Sequence, residues 1–434
     1  MNICFPAKKP KSTLCYDREK VLRHGIIWIL FCIQIVGAAN EWNQHLGPNR
    51  NGQTSIEITS DWPQKRPQFL WKKKAGEGWS GPVSDGKVAI LYHRPSKDES
   101  VECFDLFSGN LIWEKKLPTT YRDSFGFDNG PRATPLISNS TLFLVSPNGV
   151  VRALDIKNGD LKWVVNTDKK FGADTGFFGL VCSPLIHGEK LILNIGGKRN
   201  HGVIALHHET GELIWNTNSD EAGYSSPIIA DFGTKSVLAV FNRYGLLGID
   251  PEVGKEIFRE KWRSSINASV NAASPVIDGN HIFITSSYNT GAVFFNYNQG
   301  TLKKIWDNDD SLSSHYTTPV LINGYLYGIH GRVDFPGDLS FRCVNLKSGK
   351  VEWSKKWRSG AAIINAKNLT IAQMDDGELW LFEVSPKKMA IKRRIPVISG
   401  ETRAHPALVR GIYLVKSDSS FVAVDLRKKT KKRP

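Results

Sequence analysis

Short apolar runs of strand length, each followed by turn-forming residues, recur along most of the chain, and the clearest set is residues 134–167, TPLISNSTLFLVSPNGVVRALDIKNGDLKWVVNT. Pro135-Leu136-Ile137 starts one strand and residues 142–145 form a second. Residues 150–155 follow the Asn148-Gly149 turn, and residues 161–165 follow the Asn158-Gly159 turn. Asn-Gly between β-rich runs marks a hairpin, because the tight turn needs residues that tolerate positive φ. Four antiparallel strands of this kind make one propeller blade.

The unit repeats. Its opening, a Pro beside apolar residues, stands at Pro82, Pro135, Pro184, Pro227, Pro275, Pro319 and Pro406, with a degenerate version at Ala362-Ile363; successive openings lie 43 to 53 residues apart. That spacing is the period of propeller arrays. The closing signature is Gly-x-x-x-Trp, at Gly109/Trp113, Gly159/Trp163, Gly211/Trp215 and Gly349/Trp353. Gly254/Phe258 keeps the spacing with Phe, and Gly300/Trp306 is stretched by two. The unit at 362–397 lacks both Pro and closing Trp and is marked only by its Asp376-Gly377 turn and a strand at 379–384.

The last unit, 405–426, ends after three strands, while FLWKKK at 69–74 reads as a strand with no local partner. Placed as the missing outer strand, it sets Trp71 where other blades carry theirs and closes the circle, which removes two exposed sheet edges. The expected fold is therefore all-β: an eight-bladed propeller of four-stranded antiparallel blades, the last closed by an N-terminal strand. Trp71, Trp113, Trp163, Trp215 and Trp353 are read as structural. A flat side chain fills the wedge between radially packed sheets, and its indole N–H needs a partner that the next blade's backbone can supply.

Charge changes the picture at the ends only. Of the formal +15 on 434 residues, residues 1–24 carry +4 and residues 427–433 carry +6, which leaves +5 between. The basic tail has no interleaved aromatics of the sort that stack bases, so no nucleic-acid partner is expected. Residues 25–38, GIIWILFCIQIVGA, form an apolar run of 14 with Gln34 its one polar member, preceded by Lys20 and Arg23 and closing in the small residues Gly37, Ala38 and, just beyond it, Ala39. The run is short for a bilayer span and suits the core of a secretory signal. Residues 1–39 are read as a signal peptide or retained anchor, with cleavage near Ala38 or Ala39 and export to the periplasm or envelope. Membrane contact is expected through that segment alone. Residues 40–67 are an irregular segment, 68–427 the propeller and 428–434 a basic tail. Beyond the targeting segment, Cys103, Cys182 and Cys343 are scattered and odd in number, which fits neither a disulfide framework nor a zinc site.

The run from Ala153 to Trp163, ALDIKNGDLKW, resembles the AxDxxTGxxxW repeat of the pyrroloquinoline-quinone (PQQ) propeller superfamily. Ala205 to Trp215 keeps Ala, Thr210, Gly and Trp with His207 for Asp, and the repeats ending at Trp113 and Trp353 begin with Cys103 and Cys343 in place of Ala. WNQHLGPNRNG at 42–52 is similar to the WxQxxGPxRxG opening of exported bacterial PQQ-like propellers. The resemblance implies one of two classes. Quinoprotein dehydrogenases oxidise alcohols or sugars with PQQ and calcium. Cofactor-free scaffolds resemble the lipoprotein subunit of the outer-membrane β-barrel assembly machine. The alcohol-oxidising class uses adjacent cysteines over the quinone and a calcium-binding carboxylate set. This chain has no adjacent cysteines, and only Asp128 and Glu221 stand near the expected axis.

Propeller ligands enter an axial funnel, lined by the residues just ahead of each blade's first strand. Here these are Trp79, Ser80, Arg132, Tyr224, Asn271, His315, Tyr316, Arg403 and His405, with Asp128, Asn129 and Glu221 slightly upstream. Arginines, histidines and aromatics on one rim could hold a planar or anionic ligand by bidentate and stacking contacts. The reading favoured is a monomeric, non-catalytic envelope scaffold with no resident cofactor or metal, which binds a protein or extended peptide at its blade edges. A PQQ–calcium dehydrogenase and a small-anion sensor at the rim are the alternatives.

Overall fold

The computed structural model describes residues 40–428 apart from residues 63 and 234; the signal or anchor read at 1–39 and residues 429–434 of the tail lie outside the described residues. Its strands form eight four-stranded antiparallel sheets. Seven occupy residues 83–117, 136–166, 185–217, 228–261, 276–308, 320–356 and 361–396, and the eighth joins 407–425 to the strand Gln68–Lys74. These are blades 1 to 8 around the ring.

The blades do not surround one core. Separate apolar clusters fill the gaps between neighbours: Val83, Ile90 and Trp113 of blade 1 meet Leu142 and Leu144 of blade 2, and Leu185 and Trp215 of blade 3 meet Leu238 and Leu247 of blade 4. The cluster that includes Leu379, Tyr413, Trp71 and Leu91 runs through blades 7, 8 and 1, where the two ends of the propeller meet. Burying apolar surface at each wedge stabilises by about 25 cal/mol per Å², so adding a blade adds an interface.

Gln68–Lys74 pairs antiparallel with Ser420–Asp425, and Trp71 lies opposite Ala423. The same arrangement, Trp opposite a small residue just before a bulge, recurs as Trp113/Cys103, Trp163/Ala153, Trp215/Ala205 and Trp353/Cys343. A small partner leaves the indole room to lie flat against its own sheet. Each indole then reaches into the next blade: Nε1–H donates to the carbonyls of Leu106 from Trp71, Ile156 from Trp113 and His208 from Trp163 at 2.9 Å, and of Pro251 from Trp215 at 3.1 Å. Trp353 donates to Ser385 O at 2.9 Å, and Trp306 does the same to Leu346 O.

The glycine of the signature has two reasons to be glycine. Gly109 takes φ +68°, and a Cβ there would lie 2.5 Å from Cγ of Trp71 in the preceding blade. The repeat is thus written across a blade boundary, each Trp closing over its neighbour's turn.

Blade 7 is a complete sheet, Ala361–Asn365, Thr370–Met374, Glu378–Val384 and Met389–Pro396. At its docking position Arg393 faces Leu381. Blade 7 thus pairs Arg393 with Leu381 where blades 1, 2, 3 and 6 pair Trp with Ala or Cys.

Residues 42–54 cross one end of the ring. Trp42 bridges to Ser84 of blade 1, Ile137 of blade 2 donates to Asn43 O, and Gln53 bridges to Asn365 of blade 7. Buried Arg50 donates to the carbonyls of Pro184 at 2.9 Å and Ser183 at 3.2 Å on blade 3. The segment read as irregular therefore ties together blades on opposite sides of the axis.

Candidate functional site

Above that crossing segment the axis opens into a cavity of about 490 Å³. His45 and Leu46 lie at its crossed end; Trp79, Arg132, Tyr224, His315, Arg403 and His405 line it as the sequence pattern expects. Glu221 and Asn271 do not. Glu221 pairs outward with Arg243 Nε at 2.6 Å, and buried Asn271 donates to the carbonyls of Asn242 at 2.8 Å and Trp262 at 3.0 Å, fixing its own loop. Asp128 is likewise committed, accepting from the backbone of Gly78 and Gly130.

The lining also contains Phe125, Phe127 and Phe178, together with Tyr288, Arg332, Asp334 and Asp375. Tyr288, Arg332, Asp334 and Asp375 come from the loops between second and third strands. In an antiparallel four-stranded blade those loops emerge at the same end as the loops entering the first strand, a signal the sequence contained. Nothing in the sequence placed His45 and Leu46 at the axis.

The charged groups are paired with one another. Arg132 is buried with Asp123 at 3.3 Å and donates to the carbonyls of Phe178 at 2.7 Å and Asp128 at 2.9 Å. Arg332 makes a two-point contact with Asp334, its Nε at 3.0 Å. Arg403 donates to Glu401 at 2.7 Å. The Trp79 indole carries the guanidiniums of Arg132 and Arg403 at 4.3 and 4.7 Å.

The histidines are held neutral. Burial pushes His315 down to about 4; its Nδ1 accepts from Val333 N at 3.4 Å, so Nε2–H faces the Tyr288 hydroxyl at 2.8 Å. Burial also lowers His405 to about 4. Its Nδ1–H donates to Pro406 O at 2.9 Å, and the backbone of Ile363 also lies within reach of the ring. His45, edge-on to His405 at 6.0 Å, is held well below the ordinary value by burial first and by Arg50 second. Asp375 moves the other way, raised to about 6 by burial while Tyr316 donates to it at 2.9 Å.

This donor set does not fit a calcium–quinone pair. Calcium takes six to eight oxygens, including carboxylates free to bind it. The two lining carboxylates are engaged, Asp334 by Arg332 and Asp375 by Tyr316, and no group of three or more His, Cys, Asp or Glu among the described residues is placed to hold a metal. Cys103, Cys182 and Cys343 are buried and separate. What the funnel offers is an aromatic wall over a floor of neutral imidazole.

The outer circumference carries two unlike stretches, which adjoin where blade 8 meets blade 1. The outer strands of blades 1 to 3, Leu111–Leu117, Leu161–Asn166 and Leu213–Thr217, expose Leu111, Ile112, Leu161, Val164, Leu213 and Ile214, each between 37% and 57% accessible. Those of blades 7 and 8 are strongly basic.

A family model described as outer membrane protein assembly factor BamB matches residues 62–221 and 97–354, together more than half of the chain. The outer membrane protein assembly factor BamB of Yersinia pestis is 24% identical over 203 residues; the match covers 44% of this chain and 47% of the relative, so the chain spans about half of that relative's length. The crystal structure of BamB from Moraxella catarrhalis superposes with a TM-score of 0.61 at 13% identity, covering 84% of this chain and 99% of that one. The quinohemoprotein alcohol dehydrogenase of Comamonas testosteroni superposes with a TM-score of 0.65 at 13% identity, covering 93% and 83%. At such identity both structures speak to the fold alone, which a scaffold and an enzyme share.

Proposed function

The chain belongs to the outer membrane protein assembly factor BamB family, and from that premise we propose that it is an exported, non-catalytic scaffold of the cell envelope which holds a protein partner at the outer edges of blades 1 to 3. The observation that carries the reading is the row of exposed apolar side chains on three consecutive edge strands. An outermost strand presents unpaired N–H and C=O groups, and natural edges are usually blunted with charge. The outer strand of blade 3, LIWNT, carries no charged residue, and that of blade 2 carries Lys162 alone. An extended segment can add there as a further strand, its backbone supplying affinity and its alternate side chains meeting Leu161 or Leu213.

The funnel supports the same conclusion. Its arginines are each matched to a carboxylate, which leaves little net attraction for a small anion, and its carboxylates are not free for calcium. Titrating the purified protein with PQQ and Ca²⁺ while recording absorbance tests this. No stoichiometric uptake is expected, whereas uptake accompanied by dye-linked alcohol or sugar oxidation overturns the scaffold reading.

A further inference from the structure

Residues 25–426 carry a formal +5. Two strands account for all of it. The outer strand of blade 8 carries Lys72, Lys73 and Lys74, that of blade 7 carries Lys392, Arg393 and Arg394, and neither contains an acid. The rest of the body is close to neutral, so the excess charge is a local feature of one side of the ring.

The two strands are neighbours at the rim, since blades 7 and 8 share one apolar cluster. Lys387 and Lys388, in the turn entering blade 7's outer strand, and Lys65 and Arg66, just ahead of blade 8's, extend the patch with exposed side chains. Few acids answer it: Glu383 pairs with Lys392 at 2.9 Å and Asp61 reaches Arg393 at 4.0 Å, while Lys72, Lys74 and Lys388 have no ion pair among the described residues. Within the patch Phe69 and Ile391 are exposed at 45% and 39%. The chain leaves blade 8 at Asp425 and continues into a tail with six basic residues at 427–433.

Blunting of sheet edges does not explain an excess of one sign, because charge of either sign serves: the outer strand of blade 4 sets Glu256 and Glu260 against Arg259 and Lys261. We propose that the outer face of blades 7 and 8 docks on an anionic phospholipid bilayer, its lysines and arginines at the headgroups and Phe69 and Ile391 at the acyl boundary. A face of cations with isolated apolar side chains matches the chemistry of the bilayer interface. A single-stranded nucleic acid would call for a series of stacking aromatics, and the two strands expose only Phe69. The sequence alone placed membrane contact at residues 1–39; this face is a second contact, independent of that segment and of the partner site on blades 1 to 3. The ring would sit edge-on, with blade 3 on the side away from the bilayer and blade 1 beside the docked face.

The test is co-sedimentation of the full chain with vesicles of phosphatidylcholine alone and of phosphatidylcholine with phosphatidylglycerol. Neutral vesicles report the apolar contribution of residues 1–39, the excess on anionic vesicles reports all the cations, those of both termini included, and the substitutions isolate the share of blades 7 and 8. Each cation at an anionic surface is worth about fivefold in partition, so Lys72→Gln/Lys74→Gln/Lys388→Gln should lower that excess about 100-fold with an unchanged thermal midpoint. Raising salt to about 1 M, where the screening length is about 3 Å, should abolish it in the unmutated protein. An excess unaltered by the triple substitution, no excess at low salt, or displacement from the vesicles by an oligonucleotide at equal phosphate concentration would each overturn the proposal.

Discussion

Trp71 donates its indole N–H to the carbonyl of Leu106 at 2.9 Å, joining the strand that completes blade 8 to the sheet of blade 1. The same ring lies over Gly109, at φ +68°, where a side chain would collide with it. One contact therefore joins the beginning of the propeller to its end.

Removing that contact should cost more than removing a typical surface aromatic. Trp71→Ala is expected to destabilise by about 3–5 kcal/mol, as for other buried aromatics. Trp71→Phe should cost about 1–3 kcal/mol, since it leaves the Leu106 carbonyl without its donor. Gly109→Ala should destabilise through both backbone strain and collision. In the Trp71→Ala background only the backbone part remains, so the two substitutions should be less than additive in urea unfolding.

Acid should loosen the funnel, with a sign that separates its members. His405 and His45 are neutral in the fold, with values depressed below the ordinary 6.5, His405 to about 4. As pH falls the unfolded chain takes up protons first, so their contribution is complete above about pH 6.5 and is lost on the way to pH 4. The slope for each approaches ~1.4 kcal/mol per pH unit. Asp375, raised from 3.8 to about 6, holds its proton in the fold below about pH 6, where the unfolded chain has already released it, and so contributes oppositely, losing stability as pH rises from about 4 to 6. Thermal unfolding between pH 7.5 and 4.5 should show a flatter acid limb in His405→Leu and a steeper one in Asp375→Asn.

Arg132 is a poor probe of ligand binding and a good probe of stability. It and Asp123 are almost wholly buried, and breaking such a pair by removing one partner costs about 3–5 kcal/mol. Arg132→Ala should lower the unfolding midpoint with or without any ligand. Arg403 is partly exposed, and among the described residues its one ion pair is with Glu401. Arg403→Gln should stay within about 0.5 kcal/mol of the parent, and a small-anion sensor predicts that it loses ligand-induced stabilisation. Equal thermal shifts in parent and variant argue against that sensor.

How much of this was legible in the chain depended on how local the information was. Asn148-Gly149 and Gly159/Trp163 write their hairpin and blade into a few adjacent residues, so the ring and its closure by Trp71 could be read directly. Trp79, Arg132 and His315 were found because they precede a recognisable first strand. Tyr288, Arg332 and Asp375 sit in the loops at the same end of the blade, where only Asp375 adjoins a turn marker, Asp376-Gly377. Glu221 and Asn271 occupy expected positions and turn aside because Arg243 and the carbonyls of Asn242 and Trp262 hold them. The crossing of residues 42–54 under the axis depends on contacts such as Arg50 to Ser183, 133 residues apart, which no periodicity encodes.

The partner edge is most directly tested by a photo-reactive amino acid placed singly at Ile112, Ile214, Phe127 and Ile305 in the protein expressed in its source cells. These sites report blade 1, blade 3, the funnel mouth and the exposed outer strand of blade 5. The account predicts that one protein is cross-linked from both 112 and 214 and is absent from 305. Adducts confined to 127, or formed equally well at 305, would contradict it.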